Sequence, residues 1–520
     1  MRIPATLLLL LAAGLAGCLS DDDPAPADEP SQEVAAAATH VLAGAVEPTG
    51  FETPTFNVLG AIASGGPVYG AGEPSIWAHT DGTLYVAFPG CDEGFYLASL
   101  PTDEGSCEHG IVYGSTDDGA TWERLNRAGD GRYTEEGPSA NGDADVTVDS
   151  EGTVWVSNLG NGIQFHRYDP PTGEWTYIAN VVPPEEGADR QWLAAAGPGH
   201  VIHTWMRTSP NRDVAINTTF DGGKTWTGAQ YFGDNIGWLG TVQFAPDGRT
   251  AYIPYTQPQG DGLPLTGDGG TCAMHVVKTT DGGVTWNDID TGARWPTMLA
   301  GTHWSCVHMA PALDVTGDGT VVVAWSRDVD FLAANGVADA NIVPAAQMIE
   351  VITSPDGGAN WTEPYLFATF NDPAPNVSTQ GAAIMPWVTG GAGDRYAITF
   401  LHSLVFSGDQ DYTGNDWDLE AIFVDGDIAG GNVTQVTLDQ SVHQGGICTR
   451  GGLCLLSGSD RALLDFFESD LLPDGRLAVT YPADPLTGGK FIEVRVAIQD
   501  GGTPLLERPG AATTAADEAP

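Results

Sequence analysis

The sequence predicts an all-β fold, a β-propeller of seven blades with six as the alternative count. Three observations carry that expectation. A short turn motif ending in Trp recurs along the chain, a second Gly-containing hairpin pattern recurs beside it, and no linker splits the long strand-rich body between them. A body of this length is too large for one ordinary core. A ring of blades resolves that, because each blade packs only on its neighbours.

The turn motif reads S-T-D-D-G-A-T-W at Ser115–Trp122, T-F-D-G-G-K-T-W at Thr219–Trp226, T-T-D-G-G-V-T-W at Thr279–Trp286 and S-P-D-G-G-A-N-W at Ser354–Trp361. Its Asp can accept hydrogen bonds from nearby backbone N–H groups, its Gly supplies a positive φ, and its Trp anchors the turn by burying a large ring. A worn copy, Tyr168–Trp175, keeps the Asp, Gly and Trp. With it included, the Asp residues fall 52, 52, 60 and 75 positions apart, which fits one four-stranded unit plus loops of varying length.

The second pattern, a tight Gly-containing turn followed by a Val/Tyr/Trp-rich strand, counts the units. It appears at Thr80–Phe88, Ser150–Ser157, Gly197–Trp205, Pro246–Tyr255, Gly317–Trp325, Gly391–Phe400 and Pro473–Tyr481. A strand from residues 55–60 is expected to close the ring, since an unpaired seam would expose a sheet edge.

Taken from the start, residues 1–17 read as a lipoprotein signal peptide. Arg2 precedes an apolar run, and Leu15-Ala16-Gly17-Cys18 forms a lipoprotein-type cleavage box, so Cys18 is the expected lipidation site. Residues 18–50 carry seven acids and no Lys or Arg, a composition that cannot bury a core and reads as a disordered acidic tether. The propeller is expected over 51–508, with a disordered tail at 509–520. The implied location is outside the cytoplasm, anchored to the cell membrane by lipid, and the expected state is a monomer.

Cysteine usage fits export. The six cysteines other than Cys18 fall as local pairs, Cys91 with Cys107, Cys272 with Cys306 and Cys448 with Cys454, and proximity favours disulfides in that pairing. A zinc site is the rival reading, but no pair has C-x-x-C spacing with a nearby His. Sixty-eight acids against 20 bases give a net charge of −48, with only three Lys. Phosphate contact needs a basic surface, so nucleic acid is excluded as a partner. The charge reads as a solubility and salt adaptation.

The repeated turns on a propeller resemble the Asp-box, or BNR-repeat, proteins of the sialidase superfamily, over residues 73–500. The resemblance implies Asp-box hairpins at the blade turns and a ligand site at one mouth of the central channel. For a working sialidase it also implies three Arg for the substrate carboxylate, a Tyr nucleophile with a Glu, and an Asp acid/base. The Arg-Ile-Pro that announces the first Arg in that family occurs here only as Arg2-Ile3-Pro4, inside the signal segment. Gly70–Trp77 instead places Glu73 near that position. Tyr396, Tyr412 and Tyr481 are candidates for the Tyr, with strand-core positions as their alternative.

In a propeller the residues just before each inner strand converge on one mouth. They are Glu73, Asp143, Asp145, Asp189, Arg190, Trp192, Trp238, His303, His308, Gln380, Asp460, Arg461 and Asp465. The two Asp–Arg pairs are the sharpest. Arg190 and Arg461, with Asp189 and Asp465, are the catalytic candidates, and a blade-to-blade salt bridge is the competing reading of each. No cofactor is required, but Asp409–Glu420 resembles a calcium loop in spacing, with Asp409, Asp411, Thr413, Asn415 and Glu420 as ligands and a plain acidic loop as the alternative. Three functions follow in order: a surface-anchored propeller binding a glycan, such as an acidic sugar, or another extracellular ligand; an exo-acting glycosidase of sialidase type; and an assembly scaffold.

Overall fold

The computed structural model describes residues 40–41, 52–62, 72–89, 110–126, 143–160, 162–178, 181–182, 186–259, 271–296, 306, 310–330, 345–367, 382–403, 413–426, 428, 432–449, 454, 463–484 and 492–506. The chain divides into residues 1–37 and 38–520, and every described residue belongs to the second unit.

The repeating element is a four-stranded antiparallel meander. The first runs through Ser75–Ala78, Leu84–Phe88, Ile111–Ser115 and Glu123–Arg124. Its second strand, Leu-Tyr-Val-Ala-Phe, is buried throughout, as is Ile-Val-Tyr-Gly-Ser in the third. Strands covered on both faces read as continuous apolar runs rather than alternating ones, and each blade is covered by the next on either side. Further separate four-stranded sheets begin at Ala144–Val148, Ala188–Ala195 and Gln243–Phe244. In the last sheet, Glu468–Leu471, Leu477–Ala483 and Glu493–Gly501 are completed by Thr55–Ala61, which pairs antiparallel with Glu493–Gly501. The early strand thus closes the ring with the late ones.

The expectation of seven separate blades, or six, is corrected by the sheet pairing: five four-stranded blades stand alone. The strands from Ala312–Val315 to Tyr365–Phe367 and from Ala382–Gly390 to Asn432–Gln444 belong to one nine-stranded sheet. A parallel pair, Gln347 with Ala382, joins them, and His40–Val41 lies parallel to Tyr365 and Leu366. The sequence pattern could count hairpins but could not foresee a bridge between neighbouring ones.

The innermost strands surround a common axis, and each touches the next in chain order until Glu468–Leu471 meets Ser75–Ala78. Facing the axis, such strands have no further strand to pair with. Carboxylates of neighbouring blades take up their N–H groups. Asp145 accepts from Leu193 N at 2.5 Å, Glu468 from Ile76 N at 3.1 Å, Asp470 from Ala78 N at 2.7 Å and Asp314 from Gly390 N at 2.7 Å.

The recurrent turns repeat one hydrogen-bond set. In the second copy Thr225 N and Thr225 Oγ1 donate to the Asp221 carboxylate at 2.8 and 2.7 Å, while Gly223 N donates to Thr219 Oγ1 at 2.9 Å. Asp117, Asp281 and Asp356 do the same. Gly283, in the third copy, has φ +96°, and a Cβ there would lie 2.4 Å from Thr218 Oγ1 of the preceding sheet. Disulfides join Cys272 to Cys306 and Cys448 to Cys454; Cys91, Cys107 and Cys18 lie outside the described residues.

Candidate functional site

The inner strands all begin at the end of the ring opposite their tight hairpins. There the backbone leaves regular strand geometry. Glu73, Arg190, Met385 and Leu464 have φ of 55°, 52°, 57° and 61°, although none is Gly. Arg190 and Met385 sit where the strand register shifts, between Asp189 and Gln191 and between Ile384 and Trp387. Bulges re-aim side chains, and strained backbone of this kind gathers at binding sites.

At Arg190 the bulge delivers the guanidinium into a nest of carboxylates. Its Nη1 lies 2.9 Å from Glu73 Oε1 and 3.9 Å from Asp143 Oδ2, and its Nη2 is ion-paired with Asp465. The guanidinium also stands over the rings of Trp238, at 5.0 Å, and Phe466, at 5.1 Å. The Arg190 side chain is 3% exposed. Burial opposes its charge, but Glu73, Asp465, Asp143 and Asp189 more than offset this and raise its pKa. Burial, reinforced by Asp143, pushes the Glu73 carboxyl well above its usual range, and the same two causes lift Asp189 to about 6.

Glu73, Asp143, Asp189, Arg190, Trp238 and Asp465 therefore meet, as their positions before the inner strands predict. Arg190, however, is the salt-bridged tie between blades and not an open cation. Asp145 and Trp192 turn to the channel below. Asp145 accepts from Ser75 Oγ at 2.8 Å, and Trp192 stacks edge-on against Phe466 at 4.7 Å. His303, His308, Gln380, Asp460 and Arg461 lie outside the described residues, as do Tyr412, Asp409 and Asp411. Tyr396 and Tyr481 are buried on second strands, where the Tyr481 hydroxyl donates to Asp439 at 2.7 Å.

Of the calcium-loop residues, Thr413 is exposed and Asn415 is buried beside Ser403. Glu420 is buried within strand Asp416–Asp425, 3.1 Å from His402 Nδ1 and hydrogen-bonded to Gln435. Among the described residues no group of three His, Cys, Asp or Glu is arranged to hold a metal ion.

The sequence reading missed Arg212 and Phe466. Arg212 follows the second strand of its blade, Val201–Arg207, at the same end of the ring. Its Nε donates to Met206 Sδ at 3.2 Å, and its guanidinium lies 5.3 Å from the Trp238 ring centroid. Among the described residues it makes no ion pair, and burial lowers its pKa. It precedes the third strand of its blade, Asp213–Thr219, so the convergence of inner-strand entries does not point to it. The available signal was its Arg-Asp pairing in N-R-D, the reverse of A-D-R at 188–190.

No protein-family model matches the chain, and no curated protein matches it. Among solved structures it is similar to an ulvan lyase, a polysaccharide lyase, at 13% identity and TM-score 0.46, covering 86% of this chain and 94% of that one. It is also similar to an α-L-arabinanase of Penicillium chrysogenum complexed with arabinobiose, at 12% identity and TM-score 0.39, covering 85% and 98%. The NanB sialidase of Streptococcus pneumoniae matches at 11% identity and TM-score 0.40, covering 84% and 70%. Likenesses this distant carry no argument about activity.

Proposed function

We propose that this chain is a lipid-anchored surface propeller of the BNR-repeat type that binds a glycan bearing a carboxylate at the mouth of its ring. The observation that supports it is Arg212. It is the guanidinium at the mouth without an ion pair among the described residues, and it stands beside the Trp238 ring. A guanidinium can hold a sugar carboxylate, Trp238 can pack on the apolar face of a sugar ring, and Asp143 and Asp189 can accept hydroxyls. Arg190 shapes this surface by holding Glu73 and Asp465 in place.

The test is binding of sialosides, uronate-containing oligosaccharides and neutral oligosaccharides to the purified protein and to Arg212→Gln. The expected result is carboxylate-dependent binding that falls at least tenfold in the variant while thermal stability is kept. Equal binding by both proteins would overturn the reading, and no binding to any glycan would move it to a scaffold.

A second reading, an exo-acting hydrolase of sialidase type, is favoured by the raised carboxyl groups at the mouth. Burial pushes Glu73 and Asp189 up, and a carboxyl group that keeps its proton toward neutrality can serve as a general acid. Turnover of a fluorogenic sialoside decides between binding and hydrolysis.

A further inference from the structure

Below the mouth, the axis of the ring holds a cavity of about 190 Å³. Its ionisable wall groups are Asp145, Asp314, Glu468 and Asp470, and no Lys, Arg or His lines it. Most of their oxygens are engaged by neighbouring blades. Asp314 takes Val315 N and Gly390 N at 2.7 Å each, and Asp470 takes Ala78 N and Leu471 N, also at 2.7 Å each. Asp145 takes Ser75 Oγ, Val146 N and Leu193 N.

Glu468 differs. Its Oε2 accepts from Ser75 Oγ at 2.8 Å and from Ile76 N at 3.1 Å, but its Oε1 is buried with no partner among the described residues, on a residue only 4% exposed. Burial, reinforced by Asp145, pushes the Glu468 carboxyl well above its usual range, because charge on an oxygen without a donor in such a place is costly, and a cationic donor in the cavity removes that cost. The Trp192 indole N–H, 2% exposed and in the same wall, is likewise without a partner among the described residues. The wall therefore lacks one donor and one acceptor, and its remaining surface includes Val146, Val242 and Trp387.

We propose that the channel binds a small primary ammonium ion carrying a hydroxyl. The ammonium donates to Glu468 Oε1, the hydroxyl oxygen accepts from Trp192 Nε1, and the carbon atoms lie against Val242 and Trp387. Three features select this class. Among the described residues no three ligating side chains converge as a metal ion requires, whereas an ammonium has three separate N–H donors and needs only single oxygens. Trp192 and Trp387 stand in the wall, and aromatic rings attract a cation. A cavity of roughly 150 Å³ takes a benzene-sized molecule, so this one has room for an amino alcohol with water beside it. Burial lifts Asp145 and Asp470 to about 7 and Asp314 to about 6, so the empty wall holds protons near neutrality that a bound cation would displace. Arg212 is not among the wall residues, so Arg212→Gln tests the mouth and Glu468→Gln tests the channel separately.

The probe is ethanolamine hydrochloride, titrated calorimetrically into the full chain and compared in thermal unfolding with equal concentrations of sodium chloride and tetramethylammonium chloride. The expected result is a saturable rise in Tm with ethanolamine alone, affinity at least tenfold weaker in Glu468→Gln, and proton release in weakly buffered solution at pH 7. Equal Tm in the three salts would overturn the proposal, as would wild-type affinity in Glu468→Gln. Should that variant fail to fold for want of the Ser75 tie, the proton count on the unaltered chain decides, and binding without proton release overturns the proposal.

Discussion

Glu73 and Arg190 stand 117 positions apart in sequence, and their side chains meet at 2.9 Å across the mouth of the ring. Both residues have positive φ, so the backbone at each is held in an uncommon conformation to bring the pair together. With Asp465 on the other guanidinium nitrogen, one cation ties the first blade to the third and the last. Arg190→Met should therefore destabilise the protein by about 3–5 kcal/mol, because it leaves buried carboxylates without their counter-ion. Arg190→Lys should recover only a minor part, since a single ammonium cannot present the planar fork that reaches both partners. Urea unfolding at pH 7 measures it, and a loss below about 1 kcal/mol in Arg190→Met would show that the tie is not structural.

How much of this could be read from the chain follows from periodicity and distance. The turns were legible because Thr219, Asp221, Gly223 and Thr225 satisfy one another within a few residues, so the pattern is complete in a short stretch of sequence. The closing strand was legible because a ring with an unpaired edge is unstable. The converging polar residues were legible as positions, but their roles were not. Whether Arg190 faces a ligand or a carboxylate depends on Glu73 and Asp465, far away in sequence, and on a bulge that no local pattern announces. Arg212 was not legible because it precedes a third strand, whereas the convergence argument concerns only the entries to inner strands. The pairing of Gln347 with Ala382, which merges neighbouring meanders, depends on the spacing between packed sheets and has no sequence signal.

The turn glycines make a direct test of how blades lock together. At Gly283 the φ of +96° disfavours any side chain, and a methyl group would press on Thr218 Oγ1 at 2.4 Å. Gly283→Ala should cost on the order of 1–3 kcal/mol from strain, with the contact adding to it. Gly228→Ala is the matched control, since nothing lies within 4 Å of a Cβ there and its φ is ordinary. It should stay within about 0.5 kcal/mol of the parent. Equal effects at the two positions in chemical denaturation would refute the idea that these turns act through contact with the neighbouring sheet.

The channel carboxylates set an unusual dependence of stability on pH. Burial raises Asp470 and Asp145 to about 7 and Asp314 to about 6. Each group binds its proton more tightly folded than unfolded, so its contribution is fully present below about pH 4 and is lost as pH rises through 6 to 7. For Asp470, moving from 3.8 to about 7 corresponds to an upper bound of about 4 kcal/mol. The turn Asp residues act with the opposite sign. Hydrogen bonds from Asn360 and Ser354 hold Asp356 at about 2, so its contribution is present above about pH 4 and is lost as pH falls through 2. Stability should thus be greatest near pH 4, fall between about pH 4 and 7 and level off above that. Guanidinium chloride midpoints from pH 3 to 8 measure the curve, since this denaturant is itself a salt that screens the net charge of −48. Asp470→Asn, which keeps an acceptor for Ala78 N without a titrating proton, should flatten the decline between about pH 4 and 7. A stability that climbs steadily from pH 5 to 8, or a decline untouched in Asp470→Asn, would mean that these carboxylates stay ionised in the channel.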